Sequence, residues 1–178
     1  NNLGNILKDI GKFKEAIVCY NQAIKLQFNH ANAYHNLANT YKQIGEFEKA
    51  INFYKKSIEY QPYNLETLSS KIELSKEVID VKLKNKIKKI IDLKNVSDKD
   101  IAFGNLLLSR YELQKKNFEN EFNFLLKAHS YYYKWGRKKY DRGVKYWLSE
   151  IPEHKELTNL GRSTQTNNNN DKFKPIFL

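Results

Sequence analysis

With a single cysteine, Cys19, the chain cannot close a disulfide on itself, and a reducing cytoplasm is the compartment this implies. Cys19 itself reads as a small core residue. Seven glycines and three prolines in 178 residues are too few for a turn-rich sheet protein and suit helices. No apolar run approaches the ~20 residues of a membrane-spanning helix, so no membrane partner is expected. There is no glycine-rich phosphate loop. His30 and His35 are too far out of phase to share a helical face, and His129 and His154 stand alone, so no metal site is expected. No nucleophile has a base at a readable spacing. The chain by itself is expected to hold no catalytic residue and no cofactor.

Negative charge is also short: 31 Lys and Arg face 20 Asp and Glu, a formal net charge of +11. Such a balance invites nucleic acid or an acidic partner. An Asn-, Lys- and Ile-rich composition explains it more simply, and weak, sequence-indifferent, salt-sensitive binding to polyanions is the expectation.

What is present is a repeat. Shifted by 34 residues, Leu3 falls on Leu37, Gly11 on Gly45, Phe13 on Phe47 and Ala16 on Ala50. Ile17, Tyr20 and Ile24 fall on Ile51, Tyr54 and Ile58. A period of that length marks a helical solenoid. Within the second copy, Tyr34, Leu37, Ala38 and Tyr41 stripe one face of a first helix. Gly45 supplies the turn, Phe47, Ala50, Ile51, Tyr54 and Ile58 restart the stripe, and Pro62 stops it. Leu37, Ala38, Tyr41, Gly45, Ala50, Tyr54 and Pro62 resemble the signature of the tetratricopeptide repeat, with Ser57 where alanine is usual. That resemblance implies an all-α solenoid of antiparallel helix pairs that binds protein or peptide.

Residues 1–62 read as two repeats, the first truncated, since Asn1 aligns with the fifth position of the unit and the chain reads as a fragment. Residues 63–98 read as a degenerate pair: Leu65, Leu68, Ile72, Ser75 and Ile79 form one stripe, Val81, Leu83, Ile87, Ile90 and Ile91 another. Five lysines from Lys82 to Lys89 crowd the second helix, more simply as a solvated face than a phosphate site. Ser97 or Asp98 can cap the next helix. Residues 99–151 read as a further pair and a closing helix. Ile101, Leu108, Tyr111 and Leu113 stripe the first helix, and Phe118, Phe122, Leu125 and Ala128 the second. Lys116-Asn117-Phe118 stands for Gly45-Glu46-Phe47. Tyr131 to Trp147 interleave with basic residues, a pattern open to single-strand nucleic acid but better explained by rings packing on the last repeat. Residues 152–172 read as a polar linker, and 173–178 as the start of a strand.

The candidate site is an asparagine ladder. Asn2 and Asn36 share a repeat position, as do Asn5 and Asn39, and Lys8 and Lys42 share another close by. Asparagine offers a donor and an acceptor, so a row of them can hold a peptide backbone. The ladder is similar to that of the glycosyltransferases that modify Ser and Thr with N-acetylglucosamine, a resemblance that puts it on a concave face. The amides are expected to be exposed, so that alanine at Asn36 or Asn39 costs no more than about 0.5 kcal/mol of stability.

A second resemblance covers more of the chain. Lys127-Ala128-His129, Tyr140-Asp141 and Lys174–Leu178 follow the layout of bacterial tetratricopeptide-repeat sulfotransferases. It implies a donor, 3′-phosphoadenosine 5′-phosphosulfate, bound by a loop beyond Leu178, so no residue here is assigned to it. The leading expectation is a protein- or peptide-binding array that recruits for a sulfotransferase. A scaffold without an enzyme and a basic nucleic-acid-binding solenoid are the alternatives.

Overall fold

Glycines a repeat apart close the first two helix pairs with the same turn. Gly11 has φ +79° and Gly45 φ +84°, the left-handed region that favours glycine. Each turn satisfies the carbonyls of the helix it ends: Lys12 N–H donates to Leu7 O and Glu46 N–H to Tyr41 O, at 2.8 and 2.9 Å. The computed structural model describes residues 1–150, with side chains as far as residue 137. Among the described residues there are eight helices and no strand. The first two pairs are α1 (Asn2–Asp9) with α2 (Phe13–Leu26), and α3 (Ala31–Gln43) with α4 (Phe47–Tyr60). They are followed by α5 (Leu65–Ser75), α6 (Val81–Ile91), α7 (Asp98–Gln114) and α8 (Phe118–Glu150). The chain divides into two units, Asn1–Lys134 and Trp135–Leu178, and every contact given below lies in the first.

Small residues let the paired helices approach, and large rings fill the space beside them. Ala16, Ala38 and Ala50 are fully buried, as are Tyr20 and Tyr54. A Cβ on Gly4 would lie 2.6 Å from the Tyr20 ring, so α1 touches α2 where only glycine fits. Tyr41 and Phe53 stack with ring centroids 5.4 Å apart, fastening α3 to α4. The third and fourth pairs share a larger aliphatic core. It comprises Leu65, Leu68 and Ile72 from α5, Ile87 and Ile90 from α6, and Leu107, Leu108 and Tyr111 from α7. Caps fall where short polar side chains precede apolar runs: Asn64 accepts from Thr67 N–H, Asp80 from Leu83 N–H and Ser97 from Asp100 N–H.

Several expectations change, and Phe47 and Leu113, expected in the apolar stripes, are exposed. Ile79 is buried but does not continue the α5 stripe, because α5 ends with Lys76 at φ 56° and Ile79 lies in the loop to α6. Val81 is exposed, since Ile87 and Ile90 set the inward side of α6. Phe118, Phe122 and Leu125 are exposed too; α8 turns Phe124 and Ala128 to the core instead. The closing helix is not a separate element, since α8 spans Phe118–Glu150. Cys19 is half-buried rather than in the core. The basic–aromatic stretch beyond residue 137, the linker and the terminal strand lie outside the described residues.

Lys116 repeats the glycine turn without a glycine. Its φ is 57°, and Asn117 N–H reaches Glu112 O at 3.0 Å as in the earlier turns. A side chain is therefore tolerated in this turn at a conformational cost. Gly45→Ala should lose about 1 kcal/mol in urea unfolding, since no atom lies within 4 Å of the added methyl and only backbone strain acts. Lys116→Gly should move the opposite way. Equal stability of Gly45→Ala and the parent chain would show that the turn carries no strain.

Candidate functional site

Polar side chains tie the odd-numbered helices edge to edge. Asn36 on α3 donates through Nδ2 to Asn5 Oδ1 on α1 at 2.9 Å, and to Asn1 Oδ1 at 3.2 Å. His35 on α3 meets Thr67 on α5 at 2.8 Å, and Lys42 on α3 pairs with Glu73 on α5 at 3.6 Å. Lys99 at the start of α7 reaches Glu66 on α5 at 2.6 Å. Polar contacts thus join each first helix to the next, beside the apolar core that α5 and α7 share.

Three of the four ladder asparagines are held by neighbours. The Tyr20 hydroxyl donates to Asn5 Oδ1 at 2.8 Å, and the Tyr54 hydroxyl donates to Asn39 Oδ1. These are one interaction repeated 34 residues on, linking the second helix of each pair to its first. Burial, the larger cause, pushes both phenols up to about 12, so they stay protonated and serve as donors. Asn39 then donates one Nδ2 proton to His35 Nε2 at 2.9 Å. That places the imidazole proton on Nδ1, facing Thr67 Oγ1. Burial pushes the His35 pKa below its ordinary value, in keeping with a ring that must accept at Nε2.

The expectation of uniformly exposed amides is therefore corrected. Asn5, Asn36 and Asn39 are half-buried: Asn5 and Asn39 supply the acceptors that buried tyrosine hydroxyls need, and Asn36 is held against Asn5. Asn2 alone is exposed, and it forms no side-chain hydrogen bond among the described residues. Lys8 pairs with its neighbour Asp9 at 3.4 Å. The structure brings Asn5 and Asn36 together, sets Asn39 in a separate chain with His35, and leaves Asn2 apart. Tyr20, Tyr54, His35 and Thr67 were missed by sequence reasoning. A tyrosine fifteen residues after an asparagine in both copies was the signal available.

Two polar atoms of this cluster stay open. Asn5 Nδ2 and Asn36 Oδ1 have no hydrogen bond among the described residues. Neither is sealed off: the one fully buried side-chain polar atom without a partner there is Ser75 Oγ. An open donor on Asn5 and an open acceptor on Asn36 are thus carried by two amides that hydrogen-bond each other. Further along, a cleft of about 340 Å³ between α5 and α7 is lined by Ile72, Ile79 and Leu113 and flanked by Glu73, Glu77 and Arg110. No group of acidic, His or Cys side chains suited to a metal occurs among the described residues, and no helix there is long and apolar enough to cross a membrane.

Residues 4–45 match a family model described as TPR repeat, and residues 31–64 match that of the tetratricopeptide repeat. Together these cover the first two helix pairs. No curated protein matches the chain. Among solved structures, one titled "MamA RS-1 ArsTM double mutant" is similar with a TM-score of 0.52. The two are 15% identical over 75% of this chain and 73% of that one, a likeness of fold alone. The chain thus carries tetratricopeptide repeats in an all-α helical repeat fold. Such repeats form a protein-interaction module that works without a cofactor.

Proposed function

We propose that the layer of odd-numbered helices holds an extended segment of a partner protein by its backbone, with Asn5 and Asn36 as the central contacts. The observation that carries this is the open Nδ2 of Asn5 and the open Oδ1 of Asn36, on amides locked by Tyr20 and by each other. A peptide backbone offers a carbonyl and an N–H, the complement of that pair. Pre-set amides lose little freedom on binding, which favours affinity without side-chain selectivity. Asn2, Asn39, Lys8 and Lys42 extend the same layer on either side.

Peptides selected on the purified chain from an unbiased library give the test. Asn36→Ala should weaken them up to about tenfold, the worth of one or two backbone hydrogen bonds. Asn36 does not hold a tyrosine hydroxyl, so its removal should barely change the melting temperature. Unchanged affinity in Asn36→Ala, or crosslinks confined to the even-numbered helices, would rule the groove out.

A second reading extends the first: the array recruits an acceptor for a sulfotransferase domain. It is supported by Lys127-Ala128-His129, Tyr140-Asp141 and the Lys-Pro-Ile-Phe-Leu run at 174–178. No residue of this chain is assigned to the sulfate donor. The codons after Leu178 decide between this reading and a scaffold without an enzyme. A glycine-containing phosphate loop supports the former, and a stop or further helical repeats leaves the scaffold.

A further inference from the structure

Between Val81 and Ile91, α6 carries five lysines and no acidic residue. One of them serves the fold, since Lys84 turns inward, pairs with Glu112 at 3.3 Å and lies over the Tyr111 ring at 4.3 Å. Lys82, Lys86, Lys88 and Lys89 are exposed and form no ion pair among the described residues. Lys88 and Lys89 lie in the last turn, where a cation suits the helix dipole, but Lys82 lies in the first turn, where it does not. Lys82 and Lys86 also repel each other one turn apart. The helix tolerates this because Ile87 and Ile90 are buried, so folding does not explain the lysines.

At 3.6 residues per turn, Lys82, Lys86 and Lys89 form one outward row about 10 Å long. Val81, 56% exposed, flanks it at the start, and Leu93, 52% exposed, lies just beyond the helix. No aromatic residue occurs in α6, so bases would find no stacking platform. Exposed aliphatic side chains beside the lysines offer contacts that a phosphate backbone does not use. We infer that the outward face of α6 docks an acidic, amphipathic segment of a protein partner, with carboxylates one helical turn apart and apolar residues between them. This face belongs to a second helix of its pair and is independent of the asparagine layer.

The probe is a fluorescently labelled helical peptide of about five turns, with Glu at i, i+4 and i+7 and Leu beside them. Poly-glutamate of equal charge and a short DNA duplex are the comparators. Anisotropy titrations should give the tightest binding for the Glu/Leu helix, weakening as salt rises from about 50 to about 300 mM. The triple change K82E/K86E/K89E should weaken it at least about tenfold. V81S/L93S should weaken it about threefold while leaving poly-glutamate unaffected. Circular dichroism checks the fold, and K82Q/K86Q/K89Q replaces the charge reversal if helicity is lost. Unchanged affinity in the lysine variants overturns the inference. So does DNA or poly-glutamate binding as tightly as the peptide with V81S/L93S neutral, which would make α6 a non-specific polyanion surface.

Discussion

Alanine at Gly104 is expected to lower the free energy of unfolding by about 1–3 kcal/mol, the cost of overfilling a packed core. Gly104 is buried in the middle of α7, where α5 and α6 converge on it. An added Cβ would stand 2.4 Å from Ile91 Cγ2 and 2.9 Å from Leu65 Cδ1. Real carbon atoms do not approach so closely, so something must shift. Ile91 is branched at Cβ and Leu65 is fully buried, and neither can swing aside without disturbing the shared core. Backbone strain plays no part, because Gly104 is helical. Urea unfolding measures the loss, and a change under 0.5 kcal/mol, the ordinary scatter of surface substitutions, would show that the core relaxes freely. Ile91→Ala opens the same space, so combining it with Gly104→Ala should cost less than the two separate losses added.

The repeat was legible because both copies use glycine for a left-handed turn and small residues for close approach, demands that few residue types meet. Gly11 and Gly45, Ala16 and Ala50, and Tyr20 and Tyr54 lie where the 34-residue offset puts them. The stripe of α8 was not legible for the opposite reason. Phe118, Phe122, Phe124, Leu125, Leu126 and Ala128 offer apolar faces in more than one direction, and periodicity cannot choose among them. The choice falls to the partner helix, which receives Phe124 and Ala128. The turn at Lys116 was legible through its match to Gly45-Glu46-Phe47, although Lys116 takes a glycine conformation without being glycine. For the site, residue type pointed to the asparagines and assigned them to solvent, whereas Asn5, Asn36 and Asn39 are half-buried. A hydroxyl buried from the far side of the pair claims two of them. Asn36 bonds to Asn5 across the two repeats, a partner that equivalence of repeat positions does not specify.

Asn39→Ala should cost about 1–3 kcal/mol at neutral pH, several times what an exposed position would lose. The change strips the acceptor from the buried Tyr54 hydroxyl and the donor from His35 Nε2 together. Tyr54→Phe removes the hydroxyl that needs satisfying, so the double variant should lose less than the two single losses summed. Strict additivity would mean that the two side chains are not coupled. The same chain fixes a pH dependence. His35 must be neutral to accept from Asn39, and burial holds its folded pKa below the unfolded value of about 6.5. Glu66 opposes that shift, while Lys99 and Lys8 reinforce it. Between the two pKa values the unfolded chain binds more protons than the folded one, so stability rises with pH across that window. The His35 contribution is complete above about pH 6.5, falls as pH drops toward the folded pKa, and is constant below it. Thermal melts of the parent and of His35→Gln from neutral to mildly acidic pH isolate the imidazole's part. The gap between the two melting temperatures should narrow as the pH falls through that window, and a gap independent of pH would show that the imidazole accepts no proton-sensitive bond.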